Sequence, residues 1–395
     1  MIADRPHDLV LVGATGFTGG LTADYLAAHA DPGTRWALAG RDRAKLETVR
    51  DRLAAARPAL AGLPLLHADA TDPASLEAVA GAARVVITTV GPYVRHGEPL
   101  VAACARVGTD YVDLTGEPTF VDRMYVRHHE RAVRTGARIV HACGFDSIPH
   151  DLGAYFTVKH LPEGVPLHVE GFVRARGDAS GGTLHSAVGV FADLPGMMRA
   201  ERERGRVERR PAGRRIRMSR RPVPRSGIAG GWTLPLPSID PRIVTRSAAA
   251  LDRYGPDFSY GHYIAVKRLT TAAGMVAGSG AAVALAQLPP TRALLLGLRA
   301  PGAGPSAAQR ARNWFSVKFV GEGGGRRVVT EVAGGDPGYG ETAKMLAESA
   351  LSLAHDDLPE TAGQVTTATA MGDALIARLT KAGLTFRVLE DTAVS

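Results

Sequence analysis

The stretch Gly13-Ala-Thr-Gly16-Phe-Thr-Gly19 constrains this chain more than any other. It follows an apolar run, Leu9-Val-Leu-Val12, and precedes a helical pattern from Leu21 to His29. Strand, tight turn and helix in that order form the context in which a dinucleotide pyrophosphate is bound. The glycines let the backbone turn sharply and approach the phosphates. The helix that follows offers free N–H groups and the positive end of its dipole. The spacing is G-x-x-G-x-x-G rather than the commoner G-x-G-x-x-G, so the turn taken alone also fits a plain strand-to-helix junction. The strands that follow favour the nucleotide, with Gly13, Thr15, Gly16, Phe17, Thr18 and Gly19 as expected contacts.

Runs at 35–40, 63–69, 84–90, 111–114 and 138–143 read as strands, with helical patterns at 44–56, 100–107 and 120–134 among them. Strands apolar on both faces and separated by helices imply a doubly wound parallel sheet. Ligands bind such sheets at the carboxyl ends of the strands. The second strand ends in Gly40-Arg41. An acid there would bond a ribose 2′-hydroxyl, whereas a guanidinium suits a 2′-phosphate, so Arg41 favours NADP over NAD. Asp69, after the third strand, is a candidate to flank the adenine, while Asp72 before Pro73 fits a helix cap. After the fourth strand, Gly91 and Pro92 would let the backbone lie against the nicotinamide half.

The loops after the fifth and sixth strands, 113–117 and 143–151, should converge on the same cleft. Asp146, Ser147, Tyr93 and Tyr111 are the candidates there to carry a proton. Asp113 and Asp151 also fit helix caps. Tyr155 and Lys159 form the Tyr-x-x-x-Lys pair of short-chain dehydrogenases, but the pair is cheap by chance and reads better as core plus surface.

Net charge is +8, concentrated in an arginine-rich stretch at 202–225. Nucleic acid is not expected as a partner, because no aromatic residues interleave for base stacking. The stretch reads as a solvated strand-and-loop surface. Two cysteines give no disulfide framework and fit a reducing cytoplasm. The first residues show no signal-peptide pattern, and no cysteine–histidine cluster of zinc spacing is visible, so no metal is expected. The apolar stretch 272–296 reads first as a buried helical hairpin. Its sharper reading is a lid over an acyl chain or a peripheral membrane contact. The segments 313–320 and 327–332 flank a glycine-rich turn as a β-hairpin.

Several segments together resemble the saccharopine dehydrogenase-like oxidoreductases, in their trans-acting enoyl reductase branch. They are Gly13-Ala-Thr-Gly-Phe-Thr-Gly19, Ala39-Gly-Arg41, Gly91-Pro-Tyr93, Tyr111-Val-Asp-Leu-Thr-Gly-Glu117 and Gly144-Phe-Asp-Ser-Ile-Pro149. Further matches are Ser180-Gly-Gly-Thr183, Gly338-Tyr-Gly-Glu-Thr-Ala-Lys344 and Thr369-Ala-Met-Gly-Asp373. The resemblance implies an α/β fold: an N-terminal Rossmann doubly wound parallel sheet with a second α+β domain. The boundaries expected are 1–150 for NADP binding, 151–335 for substrate and dimerisation, and 336–395 for helices and a strand packing back on the first domain. It also implies NADPH-dependent reduction of an activated double bond, an enoyl thioester in polyketide-type lipid biosynthesis. The acyl substrate would be held by a carrier or synthase, and a homodimer fits the dimerisation role. Two alternatives stay open: an imine or ketone reductase of saccharopine dehydrogenase type, and a non-catalytic NADP-binding scaffold associated with lipid.

Overall fold

The computed structural model describes residues 5–177, 193–219, 223–287, 291 and 304–394. The Ser180-Gly-Gly-Thr183 segment, 220–222 of the basic stretch, and 288–290 and 292–296 of the apolar stretch lie outside the described residues.

Six strands open the chain: β1 (His7–Val12), β2 (Trp36–Gly40), β3 (Leu65–His67), β4 (Ala83–Thr88), β5 (Asp110–Asp113) and β6 (Arg138–Val140). They lie in the order β3-β2-β1-β4-β5-β6, all parallel, with Leu9 of β1 beside Trp36 on one side and Val85 on the other. This is the doubly wound order, which reverses direction between β1 and β4 and opens a crevice there. Alternate side chains of these strands enter different cores. Leu9, Leu11, Leu38, Val85 and Ile87 share one with α1 (Phe17–His29) and α2 (Arg43–Ala56). Val10, Val12, Ala37, Ala39 and Val86 share the other with α3 (Pro73–Ala82), α5 (Glu98–Val107) and α6 (Pro118–Thr135); the short helix α4 spans Tyr93–His96. Burial on both faces is why these strands read as continuous apolar runs.

Helix α7 (Ile148–Val158) leads into a second, mixed sheet. Its strands are β7 (Leu167–Arg176), β8 (Arg215–Met218), β9 (Arg225–Ser226), β10 (Gly231–Pro235), β11 (Asp257–Val266), β12 (Trp314–Gly323) and β13 (Arg326–Gly334). β7 runs parallel to β11 and antiparallel to β12, and β12 and β13 form the expected hairpin. α7 lies on this sheet. A Cβ on Gly153 would stand 2.3 Å from the Phe319 ring of β12, so glycine lets the helix approach so closely.

The C-terminal segment divides between the two sheets. Helix Gly340–His355 packs Met345, Leu346 and Ala350 into the core of the first sheet, and β14 (Gly363–Val365) adds to β6 in parallel. The last strand, expected to return to the first domain, instead pairs with β13 as β15 (Thr385–Ala393). Phe386 is half-buried and every other residue of the strand is exposed, which suits an edge strand and not a buried parallel position.

Two surface expectations change. The helix Leu269–Gln287 is not buried: Leu269, Val276 and Leu285 are 55%, 59% and 41% exposed. Alanine and glycine dominate it, and exposing them costs little. No helix among the described residues is long and apolar enough to cross a membrane. Nor is the basic stretch uniformly solvated. Arg202, Arg206, Arg209 and Arg210 are exposed, but Arg204 is buried over the Tyr125 ring, 3.9 Å from its centroid. Arg214 donates to the carbonyls of Ala248, Leu251 and Gly255. These arginines close helix ends and pair acids, which accounts for part of the positive charge without a polyanion.

Candidate active site

The glycine turn sits at the carboxyl edge between β1 and α1. Gly13 has φ 92°, a left-handed conformation that disfavours other residues. Gly19 is demanded by contact, since a Cβ there would stand 2.1 Å from the Gly13 carbonyl oxygen. Gly16 is different. Its φ is −80°, and a Cβ would meet only the Gly13 oxygen at an ordinary 3.5 Å. The fold therefore does not need glycine at 16; a bare backbone facing solvent is what a pyrophosphate needs. No side chain caps α1, and no acid stands in its first turn. The residues present fit a dinucleotide. Thr15 is exposed beside Gly16, and Thr18 is half-buried. The Phe17 ring turns away, edge-on to Tyr339 at 4.9 Å with Arg310 over it, so its backbone alone can serve the phosphates.

Arg41 follows β2 and is exposed, with no salt bridge among the described residues. Asp69 accepts from the Thr71 amide and hydroxyl, each at 2.8 Å, and these bonds hold its carboxyl below the usual range, with Arg41 adding a smaller pull. Asp72 caps α3.

The fourth and fifth loops are locked together. The Glu117 carboxylate accepts from the amides of Tyr93 (3.1 Å) and Val94 (2.8 Å) at the start of α4. The Tyr93 hydroxyl donates to the Thr88 carbonyl and accepts from the Leu114 amide. Tyr111 donates to Asp113, whose two oxygens also take the amides of Thr115 and Ala142 and an imidazole nitrogen of His141. Burial, reinforced by Asp113, raises both phenols well above their ordinary range. Tyr93 and Tyr111 are thus engaged in holding the loops. Gly91 remains exposed and Pro92 half-buried at the mouth.

The sixth loop carries strain. Ala142 and Ser147 have φ of 60° and 104°, which costs non-glycine residues about 1–3 kcal/mol each. Ser147 is fully buried, and its hydroxyl has no partner among the described residues. The loop is held by the Phe145 amide bonding Thr342 and by the Phe145 ring against Phe315. Asp146 is half-buried at the carboxyl edge, and a Cβ on Gly116 would lie 2.9 Å from its Oδ2. Burial pushes its carboxyl up to about 7, with Asp240 contributing.

Sequence reasoning missed the groups beside it. His150 opens α7, Asp240 opens the helix Asp240–Ala250, and His262 lies on β11. Asp240 Oδ2 stands 3.9 Å from His150 Nε2 and 3.2 Å from His262 Nε2. Burial pushes His150 down to about 4, against the pull of Asp240. Burial also opposes ionisation of Asp240, but the two histidines and Ser238 outweigh it and hold the carboxyl at about 2. The Tyr155–Lys159 pair lies elsewhere, with Lys159 bonded to Asp373 at 2.6 Å on the surface.

A glycine turn and a bare helix end at the reversal of a parallel sheet, with a strained loop further along the same carboxyl edge, define a nucleotide-binding oxidoreductase of Rossmann type. Residues 9–140 match the saccharopine dehydrogenase NADP binding domain, so the cofactor is NADP. Trans-acting enoyl reductases of Mycobacterium ulcerans and Mycobacterium bovis are each 38% identical over 97% of this chain and 97% of their own. The whole fold is similar to that of apo saccharopine dehydrogenase (L-Glu forming) from Saccharomyces cerevisiae, with a TM-score of 0.54 and 14% identity over 97% of this chain and 99% of that one. The chain belongs to the trans-acting enoyl reductase family within the saccharopine dehydrogenase-like oxidoreductases, and it is a reductase.

Proposed function

We propose that this reductase uses NADPH to saturate an enoyl thioester presented by a synthase or carrier in polyketide-type lipid biosynthesis. The hydride for the β-carbon comes from bound NADPH. Asp146 gives the proton to the α-carbon, and the turn at Gly13, Gly16 and Gly19 with Arg41 holds the nucleotide. Gly91, Pro92 and loop 115–117 flank the reacting end. One observation carries the assignment of the acid: among the four candidates, Asp146 alone combines partial exposure at the carboxyl edge with a carboxyl that no hydrogen bond among the described residues engages.

The test is NADPH oxidation with enoyl thioesters, preceded by fluorescence titration with NADPH and NADH. Wild-type protein should bind NADPH in preference to NADH, and Arg41→Ala should lose that preference by about 10- to 100-fold, the worth of about 1.5–3 kcal/mol for a hydrogen bond to a charged group. Unchanged discrimination in the variant would remove Arg41 from the 2′-phosphate site. Oxidation with imines or ketones alone would favour the saccharopine-type alternative, and no turnover with tight binding would favour a scaffold.

Leu269 and Val276, seven residues apart and so on one face of this helix, are exposed beside the exposed Lys267 and Arg268, which supports a peripheral membrane contact. Flotation with phosphatidylglycerol vesicles should carry wild-type protein but not the double serine variant at 269 and 276. Equal flotation of the two would remove this helix from the contact.

A further inference from the structure

We propose that His150, Asp240 and His262 bind one divalent cation of the zinc class at the junction of the two domains. One ligand atom from each of the three lies within 4.8 Å of the other two. Two ligands held about 2.0–2.1 Å from a tetrahedral zinc stand about 3.3 Å apart. The separations of 3.2 and 3.9 Å around Asp240 Oδ2 bracket that value. Two imidazoles and a carboxylate are a common zinc set, and three protein ligands leave one position open.

A second observation is independent of this spacing. His150 Nδ1 and Asp240 Oδ1 are buried and have no hydrogen-bond partner among the described residues, and His262 Nε2 has only the Asp240 carboxylate beside it. The residues themselves are 1%, 2% and 6% exposed. An unpartnered buried polar atom costs about 1–3 kcal/mol, so two in one cluster call for a missing partner. The surroundings also orient the ligands. Tyr260 lies 3.2 Å from His262 Nδ1, which fixes that ring with Nε2 towards Asp240. The Ser238 hydroxyl donates to Asp240 Oδ2. Outer partners of this kind set ring orientation at metal sites.

The ligands come from α7, helix Asp240–Ala250 and β11. A bound ion would therefore tie the start of α7 to the second sheet a few residues beyond Asp146. This site is separate from nucleotide binding, and its loss leaves the reductase reading standing.

The test uses full-length protein stripped with a chelator, dialysed and titrated with Co²⁺ and then Zn²⁺. Wild-type protein should take one Co²⁺ per chain, give the visible absorption of a low-coordinate site, and release it to Zn²⁺. His262→Ala should lose stoichiometric binding while keeping NADPH affinity. Tyr260→Phe, which removes only the outer partner, should weaken binding about 10- to 100-fold. Absence of Co²⁺ and Zn²⁺ binding by wild-type protein would overturn the proposal and point to ordered water in the cluster. So would wild-type binding in folded His262→Ala. Should that variant fail to fold, undiminished affinity in Tyr260→Phe would overturn it instead.

Discussion

Asp146→Asn should keep wild-type NADPH affinity and lose about 10²- to 10⁴-fold in kcat, the range for removing a positioned general acid. That loss corresponds to about 3–5 kcal/mol of transition-state stabilisation. The pH dependence follows from the environment. An aspartate in its ordinary range is protonated in only about one molecule in a thousand at pH 7. Burial lifts Asp146 to about 7, so roughly half the molecules carry the proton there. Activity should be level at lower pH and fall as pH rises through about 7. Stability moves in the same direction. A carboxyl raised in the folded state favours folding most below the ordinary carboxylate range, and that contribution is lost as pH rises through the folded value. An amide at this position carries no charge, so the Asp146→Asn variant should be at least as stable as wild type at pH 8. The profile is to be recorded with a chelator present, because a cation beside Asp240 would move the fall to lower pH. A kcat within threefold of wild type, in protein that melts normally, would assign the proton to water or to another group.

The first domain was legible because its physics is local. Each strand buried on both faces is a short apolar run, and the glycine turn joins β1 to α1 within seven residues. The candidate site was half legible. Position at or near the strands that edge the cleft singled out Asp146, Ser147, Tyr93 and Tyr111 alike, since rank along the sequence does not say where a side chain points. Only the fold shows Tyr93 spanning Thr88 and Leu114 and Tyr111 closed on Asp113. The His150–Asp240–His262 cluster had no signal at all. Its members are 90 and 22 positions apart, on three elements, so no spacing rule applies. Composition misled at the helix Leu269–Gln287, where apolar character suggested burial. The arginine-rich stretch failed for the opposite reason: its charges looked solvated because their partners lie far along the chain. Arg204 reaches Asp122, and Arg217 reaches Asp257.

Those distant partners set the largest expected stability effect. Asp122 on α6 is 1% exposed and faces three guanidiniums. Arg242 donates to Oδ2 at 3.1 Å, Arg246 donates to Oδ1, and Arg204 lies 3.6 Å from Oδ1. Glu208 and Glu201 complete the group, bonding Arg204 and Arg242 respectively. Three arginines thus balance three acids across the contact between α6 and the helices Leu194–Val207 and Asp240–Ala250. Asp122→Ala removes the one acid that all three arginines share. It leaves three cations converging in a place that water barely reaches. Burial together with the neighbouring Arg204 already presses Arg246 down to about 10, even with Asp122 present. Breaking one partner of a buried ion pair costs about 3–5 kcal/mol, a large share of the 5–15 kcal/mol typical of folded domains. The expected result is a urea midpoint lowered by that amount, with hydrogen exchange accelerated first in α6 and the helix Asp240–Ala250. The cost should come from stranded charge rather than from lost contacts. Adding Arg246→Leu to Asp122→Ala should therefore recover part of the stability, because it removes a buried cation left with only the longer contact to Glu208 at 3.8 Å. A double variant less stable than the single one would show that Arg246 packs α6 to the second domain on its own account, and that Asp122 is not what holds it there.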